Sequence, residues 1–294
     1  MTSKTCKGAV VVNAFWRGGD ECAEKISACL ARLGVSAPLL RAPAVSLDPA
    51  KGLLGTFSLD FAVFYDKDDY LARRLEKQGV RLFNRAESVR LADDKMLTHL
   101  ALDGVVRQPR TIASPLFFAG EDDPNFLLRV EEELGFPVVV KKCYGAFGRQ
   151  VYLAKTPEEL RALRAELLRE PHLYQEFVDC GASDIRVITI GGRAVCAMKR
   201  HATRAEEFRA NAELGGRGES LALTPELKEI AEKASRALGL EYAGVDLLWD
   251  ENGYLVTEVN SNAHFRLIRA ITGVPVDELY ADYILSELKK GGIL

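Results

Sequence analysis

The chain has 294 residues, of which 48% are hydrophobic and 28% are charged, and its formal net charge is −3. This length exceeds the usual size of one hydrophobic core, about 100–200 residues, so two or three lobes around a cleft are expected. The net charge shows no basic excess, and the lysines and arginines are scattered along the chain, which argues against a nucleic-acid partner. The apolar content is too high for a disordered chain. No apolar run approaches the roughly 20 residues of a membrane span and no signal-peptide pattern opens the chain, which predicts a cytoplasmic protein without a membrane partner.

The first part of the chain alternates short apolar runs with stretches of helical spacing. Three runs have the length of strands, at residues 10–12, 61–65 and 80–83. Two stretches have the length of helices, at residues 20–33 and 70–78. This alternation predicts a small Rossmann-like βαβ lobe over residues 1–90. The lobe carries no G-x-G-x-x-G fingerprint, so it is interpreted as a scaffold that lines a substrate cleft.

A central lobe, residues 91–175, is predicted where the pattern changes. It opens with a helical stretch that holds Lys95 and includes a β-rich run that ends in two lysines. Lys141 on this strand is followed by a loop with Gly145 and Gly148, and such a loop lets backbone N–H groups approach phosphate oxygens. On this segment alone, a hairpin with a glycine-rich turn and solvated lysines is an equal alternative.

The C-terminal lobe, residues 176–294, is predicted to be rich in strands. An apolar strand carrying Glu176 leads into it, and Asp184 and Arg186 follow. An edge of this kind can present backbone groups to an adenine ring and a carboxylate to a ribose. Glu176 could also simply face solvent, so this segment is weak evidence by itself.

Residues 243–262 form the strongest motif, a predicted hairpin with polar side chains on one face. Strand alternation places Glu258 and Asn260 on the same face, and Asp246 joins them if the loop has an odd number of residues. The segment 251–253 fits a three-residue loop that ends in glycine. Two carboxylates and an amide on an apolar hairpin favour a Mg²⁺ or Mn²⁺ site, whereas an even-numbered loop would favour a solvent-facing polar stripe.

In this order and spacing, the motifs resemble the ATP-grasp superfamily and, more narrowly, its RimK-like α-L-glutamate ligase branch. The resemblance is close over roughly residues 82–288 and loose in the first lobe. The segments that carry it are Lys95, Lys141 with its glycine loop, and the runs 175–178, 184–186, 208–211, 243–246 and 258–260. It implies an α/β fold of the ATP-grasp type, in which a Rossmann-like βαβ lobe precedes two α+β lobes that clasp ATP.

The resemblance also implies roles for individual residues. The nucleotide contacts that it implies are Lys95, Lys141, Gly145, Gly148, Glu176, Val178, Asp184, Arg209 and Asn211. The metal ligands that it implies are Asp246, Glu258 and Asn260. Arg186 and Arg200 are implied to face the reacting carboxylate. A two-residue turn at 191–192 would instead place Lys199 on the face shared by Asp184 and Arg186.

The chain departs from many relatives directly after the predicted metal-binding asparagine. It reads Ser261-Asn262-Ala263-His264 where they have Ser-Pro-Gly. This segment borders the acceptor side, so the ribosomal-protein substrate of the best-known member is not carried over. His264 is interpreted first as a packing or hydrogen-bonding residue and second as a general base for the attacking amine.

The activity that the resemblance implies is an ATP-dependent ligase that joins a carboxylate to an amine through an acyl phosphate. ATP and Mg²⁺ (or Mn²⁺) are the expected cofactors. The expected partners are a small-molecule or peptide carboxylate and an amino acid, with L-glutamate favoured. The alternative is an ATP-binding regulatory or kinase-like module of the same fold. The complete set of three cation ligands argues against a regulatory module, and a kinase would release a stable phosphorylated product. The identity of both substrates, the number of residues added and the formation of a homo-oligomer stay open.

Overall fold

In the described part of the chain, three large sheets follow one another, with helices packed on their faces, and a separate two-stranded sheet lies within the first lobe. The computed structural model describes residues 6–15, 17–41, 46–48, 52–54, 58–145, 148–202 and 217–294. Within these ranges the predicted α/β architecture is confirmed. No helix in the described ranges has both the length and the apolar character needed to cross a bilayer.

The first lobe is built on a parallel sheet. Its elements are β1 (Gly8–Val12), α1 (Asp20–Arg32), β2 (Leu39–Arg41), β3 (Ser46–Asp48), β4 (Gly52–Leu54), β5 (Phe61–Tyr65), α2 (Asp69–Lys77) and β6 (Arg81–Phe83). The sheet has the order β2-β1-β5-β6, and β3 pairs separately with β4. Both central strands, β1 and β5, are buried along their whole length, as parallel strands covered on both faces should be. The strands and helices predicted for this lobe are confirmed.

The second sheet is antiparallel and carries the strand with the paired lysines. The elements of this region are α3 (Ala86–Asp93), α4 (Lys95–Leu102), β7 (Thr111–Ala113), α5 (Pro124–Leu134), β8 (Val138–Lys142), β9 (Val151–Ala154), α6 (Pro157–Leu167) and β10 (His172–Glu176). The sheet has the order β7-β10-β8-β9. Helices α5 and α6 pack on it through an apolar cluster that includes Val130, Leu160 and Tyr174.

The third sheet is antiparallel and is covered on both faces. The elements of this region are β11 (Ser183–Ile190), β12 (Arg193–His201), β13 (Arg217–Leu221), α7 (Pro225–Ala237), β14 (Tyr242–Asp250), β15 (Gly253–Asn260), α8 (Arg266–Thr272) and α9 (Val276–Lys290). The sheet has the order β13-β12-β11-β14-β15. One face packs on α7, and the other contributes to a core shared with α1, α8 and α9. The three sheets follow the predicted order of lobes, and the predicted boundaries near residues 90 and 175 stay predictions.

Asn84 joins the first lobe to the third sheet. Its buried side-chain amide donates to the carbonyl oxygens of Tyr242 at 2.8 Å and Ser261 at 2.9 Å. Its carbonyl oxygen accepts from the backbone N–H groups of Glu241 at 2.7 Å and Tyr242 at 3.0 Å. Because every hydrogen-bonding group of this amide has a backbone partner, Asn84 fixes the two lobes against each other.

The β14–β15 hairpin has the predicted pairing but not the predicted loop. Asp246 lies opposite Glu258, as predicted. The three-residue loop was wrong, because Asp250 pairs with Gly253 and only two residues lie between them. A bulge then adds Thr257 to β15 and moves the pairing by one residue. The two-residue loop and the bulge together therefore produce the register that an odd-numbered loop alone would have given.

A second bulge places Arg200, and not Lys199, on the face shared by Asp184 and Arg186. The turn between β11 and β12 has two residues, both glycines with positive φ, as a tight hairpin turn requires. A bulge at Val195 then shifts the register, so that Arg200 lies opposite Asp184. The expectation that Lys199 shares this face was wrong. Lys199 lies opposite Ile185, and its ammonium group sits 5.0 Å from the ring centre of Trp249.

Candidate functional site

A cleft of about 890 Å³ lies where the three sheets meet. The first lobe contributes the residues that follow β1 and β5, including Asn13 and Asp66. The second sheet contributes Val139 and Lys141, and the third contributes a row of charged side chains that includes Asp246. The ends of parallel strands are a frequent place for ligands in α/β proteins, so the cleft is the candidate site.

Two buried lysines lie at the inner end of the cleft. Lys141 on β8 is 9% exposed, and its Nζ donates to Thr257 Oγ1 at 3.0 Å. Burial lowers the pKa of Lys141 to about 8, against the opposing attraction of Glu258. Lys95, the first residue of α4, places its Nζ 3.8 Å from Glu258 Oε1 and donates to the carbonyl oxygen of Gly145 at 3.3 Å. Both ammonium groups are thus fixed beside Glu258, where they can neutralise phosphate charge.

Asp246, Glu258 and Asn260, the predicted cation ligands, line the same cleft. Asp246 and Glu258 are directly opposite on the paired strands, and Asn260 Nδ2 lies 3.4 Å from Asp246 Oδ2. Among the described residues no group of three or more acidic, histidine or cysteine side chains could hold a metal, so the assignment of Asn260 as a third ligand stays a prediction. A set of two carboxylates and one amide fits Mg²⁺, which prefers oxygen ligands and keeps several waters.

The contacts of Asp246 leave room for a cation. Arg186 donates from Nε to Oδ1 at 2.7 Å and from Nη2 to Oδ2 at 2.5 Å. Arg200 Nη2 lies 3.0 Å from Oδ2, which is also the oxygen that faces Asn260. Within the described residues, Oδ2 therefore has three donors and Oδ1 has one. Since each carboxylate oxygen offers two lone pairs, Oδ1 retains one for a metal ion.

Arg186, Arg200, Asp184 and the predicted cation ligand Asp246 form a cluster without net charge. Arg200 is 3% exposed, and its Nε and Nη2 each donate to Asp184 at 2.6 Å. Burial raises the pKa of Asp184 above its ordinary value despite Arg200. Burial also acts to raise the pKa of Asp246, but Arg186 and Arg200 outweigh it and hold that pKa below its usual range. Asp246 is therefore kept ionised, as a metal ligand must be.

The glycine loop and the strand end at the adenine side have defined anchors. Gly145 and Gly148 both have positive φ, of 149° and 69°, which favours glycine at these positions. Glu176 at the end of β10 accepts a hydrogen bond from Arg110 N–H at 2.8 Å, so its carboxylate does not simply face solvent. Val178 lies just beyond it and lines the cleft with Glu176.

The outer end of the cleft, which is lined by Asp66, Lys67 and His264, is polar and carries both signs of charge. Asp66 is buried and accepts from Asn13 Nδ2 at 3.0 Å and from the Lys67 N–H at 2.7 Å. Burial raises the pKa of Asp66. His264 also lines this end, and its ring stacks on Tyr65 with centroids 6.3 Å apart. The stacking agrees with the packing interpretation of His264, and its part in proton transfer stays a prediction.

The structure brings most of the predicted site residues into one cleft. Those that line it are Lys141, Gly148, Glu176, Val178, Asp184, Arg186, Arg200, Asp246, Glu258 and Asn260. Lys95 and Gly145 lie next to it, in contact with each other. Arg209 and Asn211 lie outside the described residues.

Sequence reasoning assigned no function to Thr257, the bulge residue, or to Gln175, although both line the cleft. Thr257 was hidden because the bulge that turns it toward Lys141 was not predicted. Gln175 was visible only as the neighbour of Glu176 in the predicted adenine strand.

Comparisons with known proteins agree with this arrangement. The model of the RimK-like ATP-grasp domain matches residues 92–284. Human N-acetylaspartylglutamate synthase A (Homo sapiens) is 34% identical over 228 residues, which are 76% of this chain and 57% of that protein. β-Citrylglutamate synthase B of Danio rerio is 34% identical over 76% of this chain and 55% of that protein. This chain therefore matches little more than half the length of these relatives.

A solved structure shows the same fold over nearly the whole chain. The RimK-domain ATP-grasp protein from Sphaerobacter thermophilus superposes with a TM-score of 0.75 at 21% identity, covering 95% of this chain and 99% of that one. The family match spans the two lobes that hold the lysines, the glycine loop and the cation ligands. The chain belongs to the RimK-like ATP-grasp family.

Proposed function

We propose that this protein is an ATP-dependent carboxylate–amine ligase that forms an amide or peptide bond through an acyl phosphate. The observation that carries the proposal is that buried Lys141, the Asp246–Glu258–Asn260 set and a polar outer end line one cleft, with buried Lys95 beside it. A nucleotide that bound only as a regulator would need no acceptor space beside its terminal phosphate. The polar space at the outer end is continuous with the cation ligands.

The residues of the inner end would bind and orient ATP. Lys141 and Lys95 would neutralise the phosphates, and the loop with Gly145 and Gly148 would cover them. Val178 and the backbone near Glu176 would hold the adenine. Magnesium held by the predicted ligand set would screen the β- and γ-phosphates, which lowers the barrier to attack at the γ-phosphorus. Manganese in the same place stays a prediction.

Arg186 would orient the substrate carboxylate at the centre of the cleft. One carboxylate oxygen attacks the γ-phosphorus, the bond to the bridging oxygen breaks, and ADP leaves. The acyl phosphate then has a good leaving group on its carbonyl carbon. The amine attacks that carbon, phosphate departs, and the amine loses its proton to give the amide. Arg200 is occupied by Asp184 and Asp246, so we assign it the task of positioning these carboxylates.

The relatives guide the choice of substrates. Both curated relatives are named for products that end in glutamate. L-Glutamate is therefore the favoured amine here, with another amino acid as the alternative. The acid would be a small molecule or a peptide, and the mixed charge of the outer end suits a polar acid. The space around His264 and Asp66 would receive these substrates.

A matrix of acids and amino acids, assayed for ADP release and by mass spectrometry, tests the proposal. A ligase releases ADP only when both an acid and an amine are present, and its product has the mass of their condensation. With acid and hydroxylamine alone, an acyl phosphate would be trapped as a hydroxamate. A kinase would release ADP without an amine and leave a stable phosphorylated product, and a regulatory module would bind ATP without turnover.

Neighbouring lysines provide matched variants for this assay. Lys141→Ala should lower kcat/KM, because a charge fixed at the phosphates is lost. The expected decrease corresponds to a rise of about 2–4 kcal/mol in activation free energy. Lys142→Ala on the same strand should have little effect, since this side chain pairs at 3.9 Å with Glu170, which is largely exposed. Unchanged ADP production in Lys141→Ala would contradict the assignment of the nucleotide site.

A further inference from the structure

A partly buried chain of hydrogen bonds ends at Lys141. Lys141 Nζ donates to Thr257 Oγ1 at 3.0 Å, and Thr257 Oγ1 donates to Gln175 Oε1 at 3.4 Å. Gln175 Nε2 lies 3.1 Å from His99 Nε2 and donates to Thr111 Oγ1 at 2.8 Å. The partners that lead to Lys141 come from four different elements, α4, β7, β10 and β15, and Lys141 itself lies on β8.

Two backbone carbonyls at the far end fix the direction of every bond in this chain. Gln108 Nε2 donates to the His99 carbonyl oxygen at 3.1 Å, so the Oε1 of Gln108 faces His99 Nδ1 at 2.6 Å. An amide oxygen only accepts, so Nδ1 carries the proton. Burial lowers the pKa of His99 to about 4, so the ring is neutral and its Nε2 can only accept. At the other branch, Thr111 Oγ1 donates to the Pro109 carbonyl oxygen at 2.9 Å.

These bond directions allow only one of the two flips of the Gln175 side-chain amide. His99 Nε2 and Thr111 Oγ1 are both acceptors, so each takes one of the two N–H groups of the Gln175 amide. The amide oxygen of Gln175 must therefore face Thr257, whose hydroxyl proton it accepts. With its proton committed in this way, Thr257 presents only lone pairs to Lys141. The hydroxyl is oriented in advance as an acceptor for an ammonium group.

We propose that Thr257 and Gln175 are positioning residues, which hold the Lys141 ammonium group at the place where the nucleotide phosphates bind. This inference rests on the proposed function, because it requires Lys141 to contact those phosphates. Within the described residues, one N–H of Lys141 is taken by Thr257, and the other two are available to the cleft that Lys141 lines. A lysine has four rotatable side-chain bonds, so a fixed acceptor at its tip reduces the entropy lost when phosphate binds.

The bulge in β15 makes this contact possible. In a regular hairpin Thr257 would occupy the position opposite Asp246, and Glu258 would face the opposite side of the sheet. As the extra residue, Thr257 leaves the Asp246–Glu258 pair intact and turns its hydroxyl to Lys141 on the second sheet. The bulge at Thr257 thus keeps the predicted cation ligands on one face and also provides the acceptor for Lys141.

Equilibrium binding of adenosine and of ATP with Mg²⁺, measured by calorimetry, tests this inference without a turnover assay. Thr257→Val keeps the branched shape and removes the hydroxyl. It should weaken ATP binding about tenfold, as expected for one lost charge-assisted contact, and leave adenosine binding unchanged. Thr257→Ser should restore ATP affinity. Thr189→Val is the control, because it removes a hydroxyl of the same sheet that lies away from the cleft, is fully buried and donates to Ser235 Oγ at 2.9 Å.

A double-mutant cycle with Lys141→Ala separates positioning from other roles. In the Lys141→Ala background, Thr257→Val should cause no further loss of ATP affinity. An undiminished loss in that background, an equal loss of adenosine and ATP affinity, or no loss in Thr257→Val alone would each overturn the inference. Should Thr257→Val fail to fold, Thr257→Ala removes the same hydroxyl and carries the same expectations. A wild-type protein that binds no ATP would refute the proposed function instead.

Discussion

Raising the pH should weaken ATP binding through Lys141. Burial lowers the pKa of this lysine to about 8, against the attraction of Glu258, and the neighbouring charge of Lys95 lowers it further. Only the charged ammonium form attracts phosphate strongly. The contact is therefore fully present below the lowered pKa and is lost as the pH rises through 8. An exposed lysine, with an ordinary pKa near 10.4, would show no such loss in this range.

The size of the effect follows from the protonated fraction. With a pKa of about 8, about nine-tenths of Lys141 is charged at pH 7 and about one-tenth at pH 9. If bound phosphate keeps the lysine charged in the complex, the apparent affinity for ATP falls about tenfold over these two units, or about 1.4 kcal/mol. Calorimetry in buffers of different ionisation enthalpy would measure the affinity, and also the uptake of a proton that must accompany binding above pH 8.

Lys141→Arg is the control for this pH dependence. A guanidinium group stays charged throughout the range, so the variant should bind ATP with an affinity that does not change between pH 7 and 9. Its absolute affinity should be lower, because the planar group does not fit the Thr257 acceptor in the same way. A wild-type affinity that is flat over the same interval, or a fall of equal size in Lys141→Arg, would refute the reasoning.

Three further predictions concern the surroundings of the site. Arg200→Met removes a buried arginine from half-buried Asp184 and should cost about 3–5 kcal/mol of unfolding free energy in urea, whereas Lys233→Met, at the exposed pair with Glu229, should change it little. Asn84→Ala removes four backbone hydrogen bonds and should cost more than about 3 kcal/mol in the same assay; a smaller loss would show that the lobes are joined otherwise. Asp246→Asn should weaken ATP binding with Mg²⁺ but not without it, and equal weakening in both titrations would contradict its assignment as a cation ligand.

Local pattern was enough to predict β1, β5, β6, α1 and α2 of the first lobe, but not β2, β3 or β4. The pairing of Asp246 with Glu258 was also predicted, although from a three-residue loop in place of the two-residue loop and bulge that produce it. The runs around Val11 and Val63 are continuously apolar because both faces of a parallel sheet are buried, and this composition is visible in the sequence. Glu258 and Asn260 were placed on one face by strand alternation alone. These features depend on residues close in sequence, so no tertiary knowledge was needed.

The chain of hydrogen bonds that ends at Lys141 could not be predicted from local sequence pattern. His99 and Gln175 are 76 residues apart in sequence, and Thr257 is another 82 residues beyond Gln175. Nothing in the local pattern of a helix or a strand indicates that these three side chains meet. Their contact depends on how α4, β10 and β15 pack, which is a property of the assembled lobes.

The two bulges were also missed, yet burial explains why both must exist. Val256 and Val259 are fully buried in the same core against α7, although a separation of three residues would put them on opposite faces of a regular strand. Ala194 and Ala197 on β12 show the same odd separation in the same core. In each strand the bulge lies between the two apolar residues, so both can reach α7.

The same physical requirement therefore sets the positions of the charged residues. If β12 were regular, Arg200 would turn from Asp184 into the apolar core around α7, where an unpaired charge is very costly. If β15 were regular, Glu258 would enter that core and Val259 would face the cleft. The free energy gained by keeping the apolar pairs buried thus selects the bulged registers, and the charges on the opposite face are brought together as a consequence. An odd spacing of apolar residues within a strand, next to a charged residue, is a signal by which such a site could be found from sequence.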